Sequence, residues 1–137
     1  MSSTHTTPKR ALVTGGSGGI GEAICRALAA TGVHVVVHAH TQFERAQSLV
    51  ASLVAQGAQA SAIAFDLTDG AQVQTAMEAL LSEGPVQILV NNAGMHHDAL
   101  LAGMSGTAWH HVIDANLNGF FRVTQPLLLP MVRTRWG

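Results

Sequence analysis

Tyrosine is absent from this chain, lysine occurs once, at Lys9, and cysteine once, at Cys25. A single thiol cannot close an internal disulfide, so the composition suits a reducing cytoplasm. Charge is scarce and balanced: seven basic residues stand against eight acidic ones, for a formal charge of −1. That leaves no basic footprint for nucleic acid or for a membrane surface. Long apolar runs are missing as well, because Val33 to Val37 is interrupted by His34 and Leu127-Leu128-Leu129 is flanked by Pro126 and Pro130. Neither nears the roughly 20 residues of a spanning helix. The start, Met1 to Arg10, has no apolar stretch of the kind that makes a signal peptide. What is present is a chain of 137 residues, 47% of them hydrophobic, which is enough for one buried core and favours small-molecule chemistry.

Residues 1–9 are polar and read as a flexible tail, and residues 10–137 as one domain. Within it, short apolar runs alternate with helical patterns. Strands are expected at Ala11–Thr14, Val33–His38, Ala60–Phe65 and Gln87–Val90. The first helix, Gly19–Thr31, carries Ile20, Ile24, Ala27 and Leu28 on one face, with Cys25 on the apolar side as a small core residue. The second, Thr41–Gln56, carries Ala46, Leu49, Val50, Leu53 and Val54. Thr68 is the expected N-cap of a third, with Val73, Ala76, Met77, Leu80 and Leu81 in register. A long pattern from Gly106 toward Thr134 places Ile113, Leu117, Phe120, Phe121, Thr124 and Leu128 on one side, and Pro126 and Pro130 should kink or break it. Continuously apolar strands between amphipathic helices make an α/β fold, a doubly wound parallel sheet of Rossmann type.

The run Thr14-Gly15-Gly16-Ser17-Gly18-Gly19-Ile20-Gly21 joins the first strand to the first helix. Glycines let a backbone turn tightly beside a pyrophosphate, whose charge meets free N–H groups at the positive end of a helix. Gly16, Gly18 and Gly21 fit the general dinucleotide fingerprint. Gly15, Ser17, Gly18, Gly19, Ile20 and Gly21 are the candidate residues of the turn. About twenty residues on, where an acid would bind the ribose 2′-hydroxyl of NAD, the segment His38-Ala39-His40-Thr41-Gln42 contains none. With Ala39 in that place NADP(H) is the expected cofactor, its 2′-phosphate met by His40, Thr41 or Arg45. Eight histidines, among them His38 with His40 and the pairs His96-His97 and His110-His111, invite a metal, but adjacent residues point different ways and no partner set stands at ligand spacing. No metal site is expected.

Thr14-Gly15, Gly19 and Gly21 in the form Thr-Gly-x-x-x-Gly-x-Gly, followed by Asn91-Asn92-Ala93-Gly94 after the fourth strand, resemble the short-chain dehydrogenase/reductase family over residues 10–137. Asp98-Ala99-Leu100-Leu101, Trp109, and Asp114-Ala115-Asn116-Leu117 with Gly119-Phe120-Phe121 resemble its 3-oxoacyl-[acyl-carrier-protein] reductase branch and the acetoacetyl-CoA reductases. The resemblance implies a first half-sheet of strand order 3-2-1-4 and an NADPH-dependent reduction of a 3-oxoacyl thioester. It also implies that Asn92, Ala93 and Gly94 line the adenosine and ribose side, that Asn91 braces the sheet, that Asp66 bonds the adenine with the Leu67 backbone beside it, and that Asn116 is the catalytic asparagine of a proton relay, interrupting its helix. The other role open to Asp66 is an N-cap of the helix that follows, and the two can coexist.

The serine and the Tyr-x-x-x-Lys of the family lie beyond the last helix, and no residue here matches them. The fourth strand would otherwise be an open edge, so the sequence is expected to be the N-terminal half of a reductase, truncated before the strand carrying that serine. The alternative is a non-catalytic nucleotide-binding or association module. Expected partners are the thioester, an acidic acyl carrier docking on Arg133 and Arg135, and further copies of the chain, a tetramer by resemblance.

Overall fold

The computed structural model describes residues 7–137. Most of the expected tail, residues 1–6, lies outside the described residues. Four strands, β1 (Arg10–Val13), β2 (His34–Ala39), β3 (Ala60–Ala64) and β4 (Ile88–Val90), form one parallel sheet in the order β3-β2-β1-β4. This is the doubly wound half-sheet that the alternation of elements implied. Side chains alternate across a strand, and here the alternation divides the core in two. Leu12 and Val36 face a cluster with Phe65, Val73, Met77, Val123 and Leu127, whereas Val13, Val35, Val37 and Ala39 face Cys25, Ala46, Leu49 and Leu53. The first cluster is covered by α3 (Gly70–Ser82) and α5 (Gly119–Arg133), the second by α1 (Gly19–Ala30) and α2 (Phe43–Ala55). Each buried Val or Leu contributes roughly 1.5–3 kcal/mol.

Helix boundaries and faces depart from expectation at four places. Thr68 is not the cap of α3: Asp69 is, accepting hydrogen bonds from the N–H groups of Ala71 and Gln72, because Thr68 has turned its hydroxyl back onto Asp66. In α1 the buried residues are Gly21, Cys25 and Ala29, while Ile20 is 74% exposed and Ala27 is also exposed. Only small residues fit where the helix crosses close to β1 and β2. Val54 of α2 is likewise exposed, beyond the reach of β3.

The fourth departure is the largest. The pattern from Gly106 to Thr134 is interrupted at Asp114–Asn118, a π-helical segment between α4 (Gly106–Ile113) and α5 that contains Asn116, where the resemblance implied a break; α5 then runs unbroken through Pro126 and Pro130, where a kink was expected. A π-helical turn holds one extra residue and rotates the faces that follow it. Val123 and Leu127 are therefore buried rather than Leu117, Phe120, Phe121 and Leu128. Their burial holds α5 on the sheet and outweighs the hydrogen bonds that the prolines remove.

Candidate functional site

The turn after β1 is held by residues from two other places in the sequence, the end of β2 and the loop after β4. Thr14 Oγ1 accepts hydrogen bonds from the N–H groups of Asn92 and Ala93, and Asn92 Nδ2 donates to the carbonyls of Thr14 and Gly15. His38 binds the turn twice. Its Nδ1 accepts from Gly15 N–H at 3.0 Å, and its carbonyl accepts from Gly16 N–H at 2.8 Å. Gly15 has φ +63, a conformation that L side chains rarely adopt, and a Cβ there would stand 3.0 Å from Ala93 Cα. At Gly21 a Cβ would run into the Gly15 carbonyl and Asn92 Nδ2.

No side chain caps α1 at Gly18. The first-turn N–H groups of a helix have no intrahelical partners, and here they open onto a cleft of about 520 Å³. A Cβ at Gly19 would meet nothing within 4 Å, so that side of the turn is free space. Uncapped helix dipole, glycine floor and open volume are together the features that an anion site requires.

Every cofactor-binding candidate lines this cleft: Gly15, Ser17, Gly18, Gly19, Ile20 and Gly21 from the turn, His40 and Thr41 after β2, Asp66 and Leu67 after β3, and Asn92, Ala93 and Gly94 after β4. They come together because parallel strands all release their next loops at one edge. Arg45, the other cation considered, is outside the lining and donates to Gln42 Oε1. Among the lining residues there is no lysine or arginine. His38, Thr68, Met95 and His111 also face the cleft; sequence reasoning considered the two histidines only as metal ligands. Among the described residues no group of three His, Cys, Asp or Glu could hold a metal ion.

Burial alone would raise the Asp66 carboxyl, but hydrogen bonds from the Thr68 N–H and hydroxyl, with His40 and His111 nearby, hold it below the usual carboxylate range. His40 Nε2 lies 3.6 Å from Asp66 Oδ2. Asp66 is thus an ionised acceptor at the cleft rim, not a helix cap. Cys25 is driven the other way, to about 11, by burial and by Glu22. It is an inert core thiol.

Asn116 stands apart from the main cleft and lines a smaller adjoining one with Phe120. It sits in the π-helical segment, where Oδ1 accepts from Met95 N–H at 2.9 Å and Nδ2 donates to the Met95 carbonyl at 2.7 Å. An asparagine that bonds backbone in this way competes with regular helical bonding. Asn91 Nδ2 donates to Thr124 Oγ1, tying the end of β4 to α5. Arg133 ends α5 and Arg135 follows with φ 55; both are exposed.

Residues 9–137 match the family described as short chain dehydrogenase. The chain is 38% identical over 130 residues to "3-oxoacyl-[acyl-carrier-protein] reductase FabG" of Staphylococcus epidermidis, covering 94% of this chain and 53% of that protein. It is 38% identical over 135 residues to the 3-oxoacyl-[acyl-carrier-protein] reductase of Synechocystis sp., covering 98% and 55%. Among solved structures, a blue fluorescent protein from a metagenomic library in complex with NADPH superposes with a TM-score of 0.84 at 37% identity, covering 90% of this chain and 51% of that one. The chain therefore spans about half the length of the curated relatives it matches.

Proposed function

Because the chain belongs to the short-chain dehydrogenase family, we propose that its cleft binds NADP(H) and serves the reduction of a 3-oxoacyl thioester, of the 3-oxoacyl-[acyl-carrier-protein] or acetoacetyl-CoA type, to the 3-hydroxyacyl product. The observation that carries this reading is the uncapped N-terminus of α1, opening on free space beside Gly19. Residues 10–137 then constitute a dinucleotide-binding domain.

When bound, NADP(H) supplies the hydride; the residues here position it. First-turn N–H groups of α1 meet the pyrophosphate. Asp66, held ionised, accepts from the adenine amino group beside the Leu67 backbone. Asn92, Ala93 and Gly94 border the ribose. Ala39 places no carboxylate against a 2′-phosphate, and His40 and Thr41 offer it donors. The NADPH named for the metagenomic structure supports the same choice. Asn116 holds the Met95 loop, and its part in a proton relay requires a tyrosine and a lysine that no residue of this sequence matches. The setting is cytoplasmic, the assembly a homo-oligomer, and Arg133 with Arg135 the docking point for an acidic acyl carrier.

The absence of tyrosine favours a second reading for these 137 residues by themselves, a non-catalytic module that binds nucleotide. NADPH oxidation with acetoacetyl-CoA separates the two. Without a tyrosine to supply the proton, the chain should bind NADPH yet show no turnover above a Gly15→Val control. Clear turnover would mean that it carries a catalytic solution of its own.

A further inference from the structure

His38 is buried, 2% exposed, at the point where β2 reaches the cofactor turn. Its partners define its protonation. Gly15 N–H is a donor, so Nδ1 at 3.0 Å must be the acceptor; the proton then lies on Nε2, which donates to the Phe65 carbonyl at 2.9 Å. The ring stacks on Phe65 with centroids 4.0 Å apart. One imidazole thus ties the turn after β1 to the end of β3, and the His38 carbonyl holds the next N–H of the same turn, that of Gly16.

We propose that His38 is a positioning residue for cofactor binding: its unprotonated Nδ1 fastens Gly15 in the left-handed conformation that aims α1 at the pyrophosphate. This rests on the cofactor reading of the cleft. With Gly15 N–H held by His38 and Gly18 N–H by the Gly15 carbonyl at 3.1 Å, the turn is closed on itself and the first turn of α1 is left to meet an anion. A proton on Nδ1 would set a donor against the Gly15 donor and release the turn.

Burial holds His38 below the ordinary histidine value, with the Phe65 carbonyl acting against the shift and His40 adding to it. The other titratable groups that line the same cleft are His40 after β2, Asp66 after β3 and His111 on α4. On α1, Glu22 is paired with Arg26, and on α2, Arg45 is bonded to Gln42.

Two substitutions separate the ring nitrogens. His38→Asn keeps an acceptor at the place of Nδ1 and cannot titrate; His38→Gln keeps a donor toward Phe65 and leaves Gly15 N–H unpaired. Calorimetric titration with NADP+ at about pH 8 should find the Asn variant close to wild type and the Gln variant about tenfold weaker, the size of one lost buried acceptor. Lowering the pH until buried His38 takes up a proton, below the ordinary histidine value, should weaken wild type relative to the Asn variant, which lacks that imidazole. Amide exchange of the ligand-free proteins should show Gly15 N–H protected in wild type and Asn, and exposed in Gln. Equal NADP+ affinity of a folded Gln variant, a Gly15 N–H that exchanges freely in wild type, or an Asn variant that loses affinity in step with wild type as His38 takes up its proton, overturns the proposal alone. If the Gln variant does not fold, the comparison of wild type with Asn decides. A wild-type protein that binds no nucleotide overturns the cofactor reading and the proposal with it.

Discussion

Gly19 and Gly21 are two residues apart and are glycine for different reasons. A Cβ at Gly21 collides with the protein itself, whereas at Gly19 it enters empty cleft. Gly21→Val should therefore cost about 3 kcal/mol or more in thermal denaturation, as forced overpacking does. Gly19→Val should leave the melting temperature nearly unchanged while weakening NADP+ binding by tenfold or more, about 1.4 kcal/mol. Equal melting and equal binding for the two variants would contradict this division. Residue-scale electrostatics add a second expectation. His34 and His38 are both held below 6.5, chiefly by burial, so each is neutral in the fold and takes up a proton more readily when unfolded. Stability should be full above that value and fall as pH drops through the folded values. A melting temperature that holds or rises between about pH 7.5 and 5.5 would count against it. The glycines of the turn were legible in the sequence because backbone geometry leaves few residues that fit. His38 was not, since its role depends on Gly15 and Phe65, which only the pairing of β2 with β1 and β3 brings to it.

At the scale of elements, the strands follow from the apolar runs and the helices between them, while their order and an interruption of the last helix at Asn116 were implied by the family resemblance and not by those runs. The prolines are conspicuous in sequence, yet α5 passes through them. The interruption falls instead at Asp114–Asn118, where Asp114 accepts from Arg122 and Asn118, and Asn116 bonds the Met95 backbone across 21 residues. Such long-range bonding leaves no local pattern. The end of α3 has a comparable tie. Arg10, buried on β1, donates to the carbonyls of Leu80 and Gly84 at 2.9 and 2.6 Å and pairs with Glu83, placing a cation at the helix C-terminus. Arg10→Ala would orphan those carbonyls and should lower stability by about 2–3 kcal/mol in urea denaturation. A loss below about 0.5 kcal/mol would mean that solvent replaces the guanidinium.

For the molecule as a whole, Leu117 of the π-helical segment and Phe121, Leu129 and Val132 of α5 are left exposed, with Phe121 at 64%. Apolar surface of this kind favours association, and Phe121→Glu with Leu129→Glu should lower the molar mass seen by sedimentation without unfolding the protein. An unchanged mass would place the contact elsewhere. No helix among the described residues is long and apolar enough to cross a membrane. The central claim is the proposal that NADP(H) binds the cleft, which joins a bare helix N-terminus to an uncharged Ala39 and to histidines. Calorimetric titration of wild type and Ala39→Asp with NADP+ and NAD+ tests it most directly. The account predicts saturable binding with NADP+ the tighter ligand in wild type, and a preference moved toward NAD+ in the variant, whose carboxylate repels the 2′-phosphate and accepts from the ribose hydroxyl. Absence of binding, or NAD+ held as tightly as NADP+ by wild type, would contradict it.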